Sequence, residues 1–244
     1  MQRYFSHEQL DVYRVALRFA SLGDTFLSEW PISWAVHDQF ERAVESIVTN
    51  LARAARLRAT PTGVYSLECS LGSVLECAAC LDVASCRHLL DSSQLDAGKE
   101  LLQHIACMEV GLRASWSNGA KEDSEPYGSD TQRYFAHESL EVYRCSLQIH
   151  ESLDALWQSD KARSRHIRRI DELTTSLTVN IAEGNGRFSK LEHGKFLGVA
   201  EDAGIKLAAY LDLVAPAAGM RMDGVKSYLR EVMAMLSGLR AYLE

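Results

Sequence analysis

The stretch QRYFSHEQLDVYR, Gln2 to Arg14, returns as QRYFAHESLEVYR from Gln132 to Arg144. The copies lie 130 positions apart and differ at three places: Ser6 against Ala136, Gln9 against Ser139, and Asp11 against Glu141. The same offset continues downstream. Asn50-Leu51-Ala52 falls on Asn180-Ile181-Ala182, Ala78-Ala79 on Ala208-Ala209, and Leu81-Asp82-Val83 on Leu211-Asp212-Leu213. Between Ala84 and Asp96 the first copy is three residues longer; from there the offset is 127, and Gly111–Ala114 falls on Gly238–Ala241. One change of connection length in a long self-similar stretch is the mark of an internal duplication. The 244 residues then divide into a first unit, 1–114, a polar linker, 115–131, and a second unit, 132–244.

Within each unit the apolar period is that of helices. Leu10, Tyr13, Leu17 and Ala20 keep i, i+3, i+4 spacing, with Ser6 and Gln9 placed as a capping box. Pro31 separates this helix from a second one carrying Phe40, Val44, Ile47, Val48, Leu51 and Ala55. Thr60-Pro61 starts a third helix, through about Ser85, and a fourth follows Ser93 to about Ala114. Ser189 and Glu192 form the matching box in the second unit. No segment alternates with period two for long enough to be a strand. The expectation is an all-α protein of two tandem up-down-up-down four-helix bundles. No run of 18 apolar residues, no signal-peptide core and a net charge of −7 favour a cytoplasmic protein without a membrane partner.

Sites of chemistry were sought against this frame. Cys77 and Cys80, with Cys69, Cys86 and His88, suggest part of a zinc or redox site. The second unit places Val199, Leu207 and Tyr210 where the first has Cys69, Cys77 and Cys80, so the cysteines read as core. No Glu-x-x-His is present for a di-iron site, and Glu100 with His104 reads as solvated surface. His7 and His137 recur beside glutamate and read as capping or surface groups. Tyr4, Phe5, Tyr134 and Phe135 read as packing or interface aromatics. No metal, cofactor, small-molecule substrate or catalytic constellation is expected.

The stretch NIAEGNGRFSK, Asn180 to Lys190, stands apart. Asn180 and its counterpart Asn50 fall among apolar helix positions, where a buried amide needs hydrogen bonds. Glu183 and Arg187 have i, i+4 spacing. Together Asn50, Asn180, Glu183 and Arg187 read as a polar clamp between the second and third helices, altered in the first unit by Arg53 and Ala54.

This stretch, with the following AEDAGIKLAAYLDL and the opening LxVYR helix, resembles the four-helix-bundle family named for proteins encoded within 23S rRNA intervening sequences. The resemblance is stronger over 132–244 than over 1–118. It extends to the accessory variability determinant of diversity-generating retroelements, a ring-forming bundle that binds a reverse transcriptase and its RNA. The resemblance implies a non-enzymatic, oligomeric scaffold or adaptor acting through self-association or a protein partner. The alternative is direct RNA or DNA binding by Lys161, Arg165, Arg168, Arg169, Arg187 and Lys190, with Arg53 and Arg56 in the first unit, since phosphate contact needs clustered cations.

Overall fold

Proline, capping groups and apolar period divide the first half into four helices. The computed structural model describes residues 5–116, 134–153, 165–218 and 222–243. Helix α1 (Asp11–Glu29) stops two residues before Pro31, and α2 (Ala35–Arg56) begins beyond it. Helix α3 (Pro61–Cys86) opens as expected: Thr60 Oγ1 accepts the Gly63 N–H at 3.1 Å, with Pro61 in the first turn. Helix α4 spans Ser92–Trp116. The second half gives α5 (Glu141–Ser152), α6 (Arg165–Asn185), α7 (Lys190–Ala218) and α8 (Asp223–Leu243).

Element boundaries repeat as the sequence does. Short 3-10 turns occupy Ser6–Gln9 and Ala136–Ser139; α1 and α5 start at Asp11 and Glu141, and α2 and α6 at Ala35 and Arg165. The capping box expected from Ser6 and Gln9 is not what forms. Both residues lie inside the separate 3-10 turn, Leu10 is extended, and the Glu8 carboxylate instead reaches back to the Phe5 N–H at 2.7 Å.

No strand occurs among the described residues. Helices α1 to α4 close a four-membered ring, α4 returning to α1, and α5 to α8 do the same, α8 returning to α5. The two rings meet where α3 packs against α6, with further contact of α2 with α6 and of α3 with α5. Helix α3 is therefore covered on two sides, by its own bundle and by the second. That explains its lack of a polar face. It is the one described helix long and apolar enough to cross a membrane, and 72% of that window is buried inside the protein. Cys77 and Cys80 are fully buried within it.

One polar group sits deep in the first bundle. Glu109 is buried, its Oε1 accepts the Ser70 hydroxyl at 2.5 Å, and burial raises its carboxyl from an ordinary 4.5 to about 8. Its counterpart in the second bundle is Leu236. With the folded pKa above the unfolded one, stability from this group is full below pH 4.5 and is lost as pH rises towards 8. We expect Glu109→Gln to stabilise the protein at pH 7 by on the order of 2–3 kcal/mol and to flatten the pH 5–8 dependence. Urea unfolding across that range is the check; an unchanged slope would refute the assignment.

Candidate functional site: the face between the bundles

The densest polar chemistry lies where the second bundle meets the first. In the 3-10 turn before α5, His137 is fully buried between two rings, stacked on Phe135 at 5.7 Å and edge-on to Tyr143 at 4.6 Å. Neither imidazole nitrogen has a hydrogen-bond partner, and burial, seconded by Lys99, holds the ring well below its ordinary 6.5 and hence neutral. His137 is thus a packed interface group, not the capping or surface group expected from the sequence. Its neighbours in the turn meet α3 and α4. Lys99 Nζ donates to Asp82 Oδ2 and to Glu138 Oε1, both at 2.7 Å, and lies 5.6 Å from the centre of the Phe135 ring. Tyr143 donates its hydroxyl to Asp82 Oδ2 at 2.7 Å, and Gln103 Nε2 donates to the Tyr134 carbonyl at 3.4 Å.

Asp82, His137 and Glu138 offer ligand atoms within 4.8 Å of one another. The Lys99 ammonium already bridges the two carboxylates there, and burial, which alone would lower its pKa, is outweighed by Asp82 and Glu138, so the net direction is upward. A protonated amine in that position supplies the positive charge that a metal ion would bring. The geometry is that of a structural ion cluster.

A second network lies just beyond the first, at the C-terminal end of α3. Arg87 and Asp171 are 3% and 4% exposed and form an ion pair through NH1 and Oδ1. Arg87 NH2 also reaches His150 Nδ1 at 3.1 Å and donates to Thr175 Oγ1 at 3.3 Å, and the guanidinium lies 5.2 Å from the centre of the Trp34 ring. The other carboxylate oxygen of Asp171 accepts the Ala35 N–H at 2.7 Å. Trp34, at the N-cap of α2, has no side-chain acceptor to offer, so a carboxylate from the second bundle supplies the cap. Four helices or their ends are tied together by one buried pair.

Against known proteins, residues 8–111 match the model of the family described as 23S rRNA-intervening sequence protein. The first bundle is similar to that family. No curated protein and no solved structure matches the chain. The motif at Asn180–Lys190 places the stronger resemblance in 132–244, whereas the family match lies on the first bundle and runs from its 3-10 turn into α4. One helix end carries the motif; the match rests on a whole bundle.

Beside this family match, the expected clamp is only partly built. Asn50 and Asn180 do not bridge helices: each Nδ2 donates back within its own helix, to the Ser46 or Ser176 carbonyl and hydroxyl. A residue four positions earlier is the nearest acceptor on the same face, so the amide is satisfied locally. Glu183 and Arg187 do pair, and the Arg187 guanidinium also lies 4.4 Å from the centre of the Phe196 ring on α7 and 3.9 Å from Glu192. That part joins α6 to α7. It also meets the first bundle: a methyl group added at Gly72 would sit 2.6 Å from Arg187 NH2, and one at Gly186 would collide with Leu75.

Arg187 is consequently withdrawn from the phosphate-binding set, because its side chain is only 10% exposed and already paired. Arg168 is exposed, and Arg169 pairs with Glu172 at 2.5 Å. Lys161 and the side chain of Arg165 lie outside the described residues. Arg53, Arg56 and Lys190 are exposed, Lys190 with its ammonium 5.7 Å from the centre of the Tyr242 ring. Glu100 and His104 are exposed, in line with the solvated-surface reading. What sequence reasoning missed were Arg87, Lys99, Asp171 and His150. Single charged residues in amphipathic helices give no sign of being buried against a second bundle.

Proposed function

We propose that the protein is a non-catalytic scaffold or adaptor that works in the cytoplasm through self-association or a protein partner. One observation carries this reading: α7 bears Leu191, Val199, Ile205 and Leu213, each 49–71% exposed. At 100° per residue these four fall within an arc of about 120°, which the exposed Lys195, Asp202 and Lys206 share. Large apolar side chains left exposed along one side of a helix point to a docking face. The buried ionisable groups support the same reading, because Arg87, Lys99, Asp82 and Asp171 are engaged in holding bundle to bundle. Size-exclusion chromatography with light scattering at micromolar concentration is expected to show mass above that of one 27.2 kDa chain. A strict monomer that also captures no protein partner would overturn the reading.

A second reading, binding of RNA or DNA, is favoured by the exposed Arg53, Arg56 and Arg58 at the end of α2 and Lys190 and Lys195 at the start of α7. The name of the family, which ties its members to 23S rRNA genes, points the same way. A mobility shift of RNA that weakens with salt and disappears on charge reversal of Arg53 and Arg56 would support it over the first.

A further inference from the structure

Both halves of the contact between the bundles exist a second time in the chain, on opposite bundles and less buried, with Phe5, Glu8 and Asp212 exposed. The second bundle inserts Phe135, His137, Glu138 and Tyr143. At the offset of 130, the first bundle carries Phe5, His7, Glu8 and Tyr13. The two sets are built alike. Phe5 stacks on His7 at 5.6 Å and 10°, against 5.7 Å and 15° for Phe135 and His137; His7 lies 4.6 Å from Tyr13, the same spacing as His137 from Tyr143. Their surroundings differ. Phe135 is 2% exposed and Phe5 is 70% exposed.

The receiving half is duplicated as well. Asp82 and Lys99 on the first bundle correspond to Asp212 and Lys226 on the second, and the latter also form an ion pair, with Asp212 exposed. Around Lys226 lies an open groove lined by Gly204, Ile205, Ala208, Arg230 and Met233. Arg230 stands where Gln103 holds the Tyr134 carbonyl in the first bundle, so a donor is kept. Leu75 and Val83, 1% and 0% exposed on α3, correspond to Ile205 and Leu213, 61% and 60% exposed on α7. The same positions are covered on one bundle and bare on the other.

We propose that the Phe5–Tyr13 face of one chain docks into the α7–α8 groove of a second copy, repeating the contact that joins the bundles within each chain. Glu8 pairs with Lys226, the Tyr13 hydroxyl with Asp212, and Phe5 lies beneath the Lys226 ammonium. The inference rests on the scaffold reading and names its partner. It also accounts for the closest stretch of self-similarity in the sequence: both copies of QRYF(S/A)HE perform the same docking. Because the contact is head-to-tail, each joined chain still presents one free face of each kind, and growth stops only if the rotation closes. The part of the internal contact around Arg87 is not repeated: Ala217 and Glu41 stand in place of Arg87 and Asp171. The contact between chains therefore lacks the Arg87 pair and, unlike the one within a chain, dissociates on dilution.

Light scattering on the full chain from 1 to about 100 µM, with two single variants, tests this. Wild type is expected to gain mass with concentration. Phe5→Asp, at an exposed position, and Lys226→Glu are each expected to run as monomers with unchanged helical circular dichroism. Each variant keeps the face the other lacks, so an equimolar mixture is expected to recover association but stop at a dimer. Wild-type association that neither variant disturbs would overturn this docking while leaving the scaffold reading intact. A mixture that stays monomeric, or a wild type that never associates, would also overturn it, and the latter would leave only an unrelated protein partner for the scaffold.

Discussion

Asp171→Ala is expected to destabilise the protein by about 3–5 kcal/mol, among the largest effects of a single substitution on the face between the bundles. The loss has two sources. Arg87 would keep its charge in a site where it is 3% exposed, without the carboxylate that neutralises it; His150, held neutral, and Thr175 bring no negative charge. The Ala35 N–H would lose its acceptor at the start of α2, where the helix dipole and the orphan donors both favour a carboxylate. Replacing both partners, Arg87→Met with Asp171→Leu, is expected to recover most of the loss, since an apolar pair of similar volume avoids desolvating two charges. Urea unfolding of the two single variants and the double variant forms the cycle. A single-variant loss below about 1 kcal/mol would show that water reaches the pair and that the interface is looser than its burial indicates.

Lys99→Met should cost a comparable 3–5 kcal/mol at pH 7, with a pH dependence that sets it apart. Among the described residues Lys99 is the one cation bridging Asp82 and Glu138, and its removal leaves two carboxylates facing one another beside a buried tyrosine. Burial already raises the Asp82 carboxyl against the opposing pull of Lys99, so without the ammonium its folded pKa rises further. A carboxyl raised in the folded state contributes stability below its unfolded pKa and loses it as pH rises. Removing Lys99 also lifts one of the influences that keep His137 from accepting a proton, and that too favours the variant in acid. The difference from wild type should therefore shrink between pH 7 and pH 5. A difference that stays constant across that range would mean that Lys99 acts mainly by packing its alkyl stem over the Phe135 ring.

Much of the architecture can be read from the chain alone. The offset of 130 predicted matching helix starts, the apolar period predicted all-α structure, and the internal comparison placed Cys77 and Cys80 in the core. Phe135 as an interface aromatic was legible too. What could not be read was which polar residues would be buried. Lys99 and Lys226 occupy equivalent places in equivalent helices with the same acidic partner, yet the first is sealed and the second lies on an open groove. Arg187 looked like a phosphate ligand because its sequence neighbours are basic, and packing against α3 removed it from solvent.

The physical reason is the range of the forces involved. Helix period, capping and turn chemistry act over a few residues, so each copy of the repeat carries them and each folds to the same pattern. Burial of a charge depends on what lies across an interface more than 35 residues away in sequence, as between Lys99 and Glu138 or Arg87 and Asp171. The sequence by itself determined two sets of four helices and the duplicated face that begins each. Only the tertiary structure decided which copy of that face is filled and which is left open.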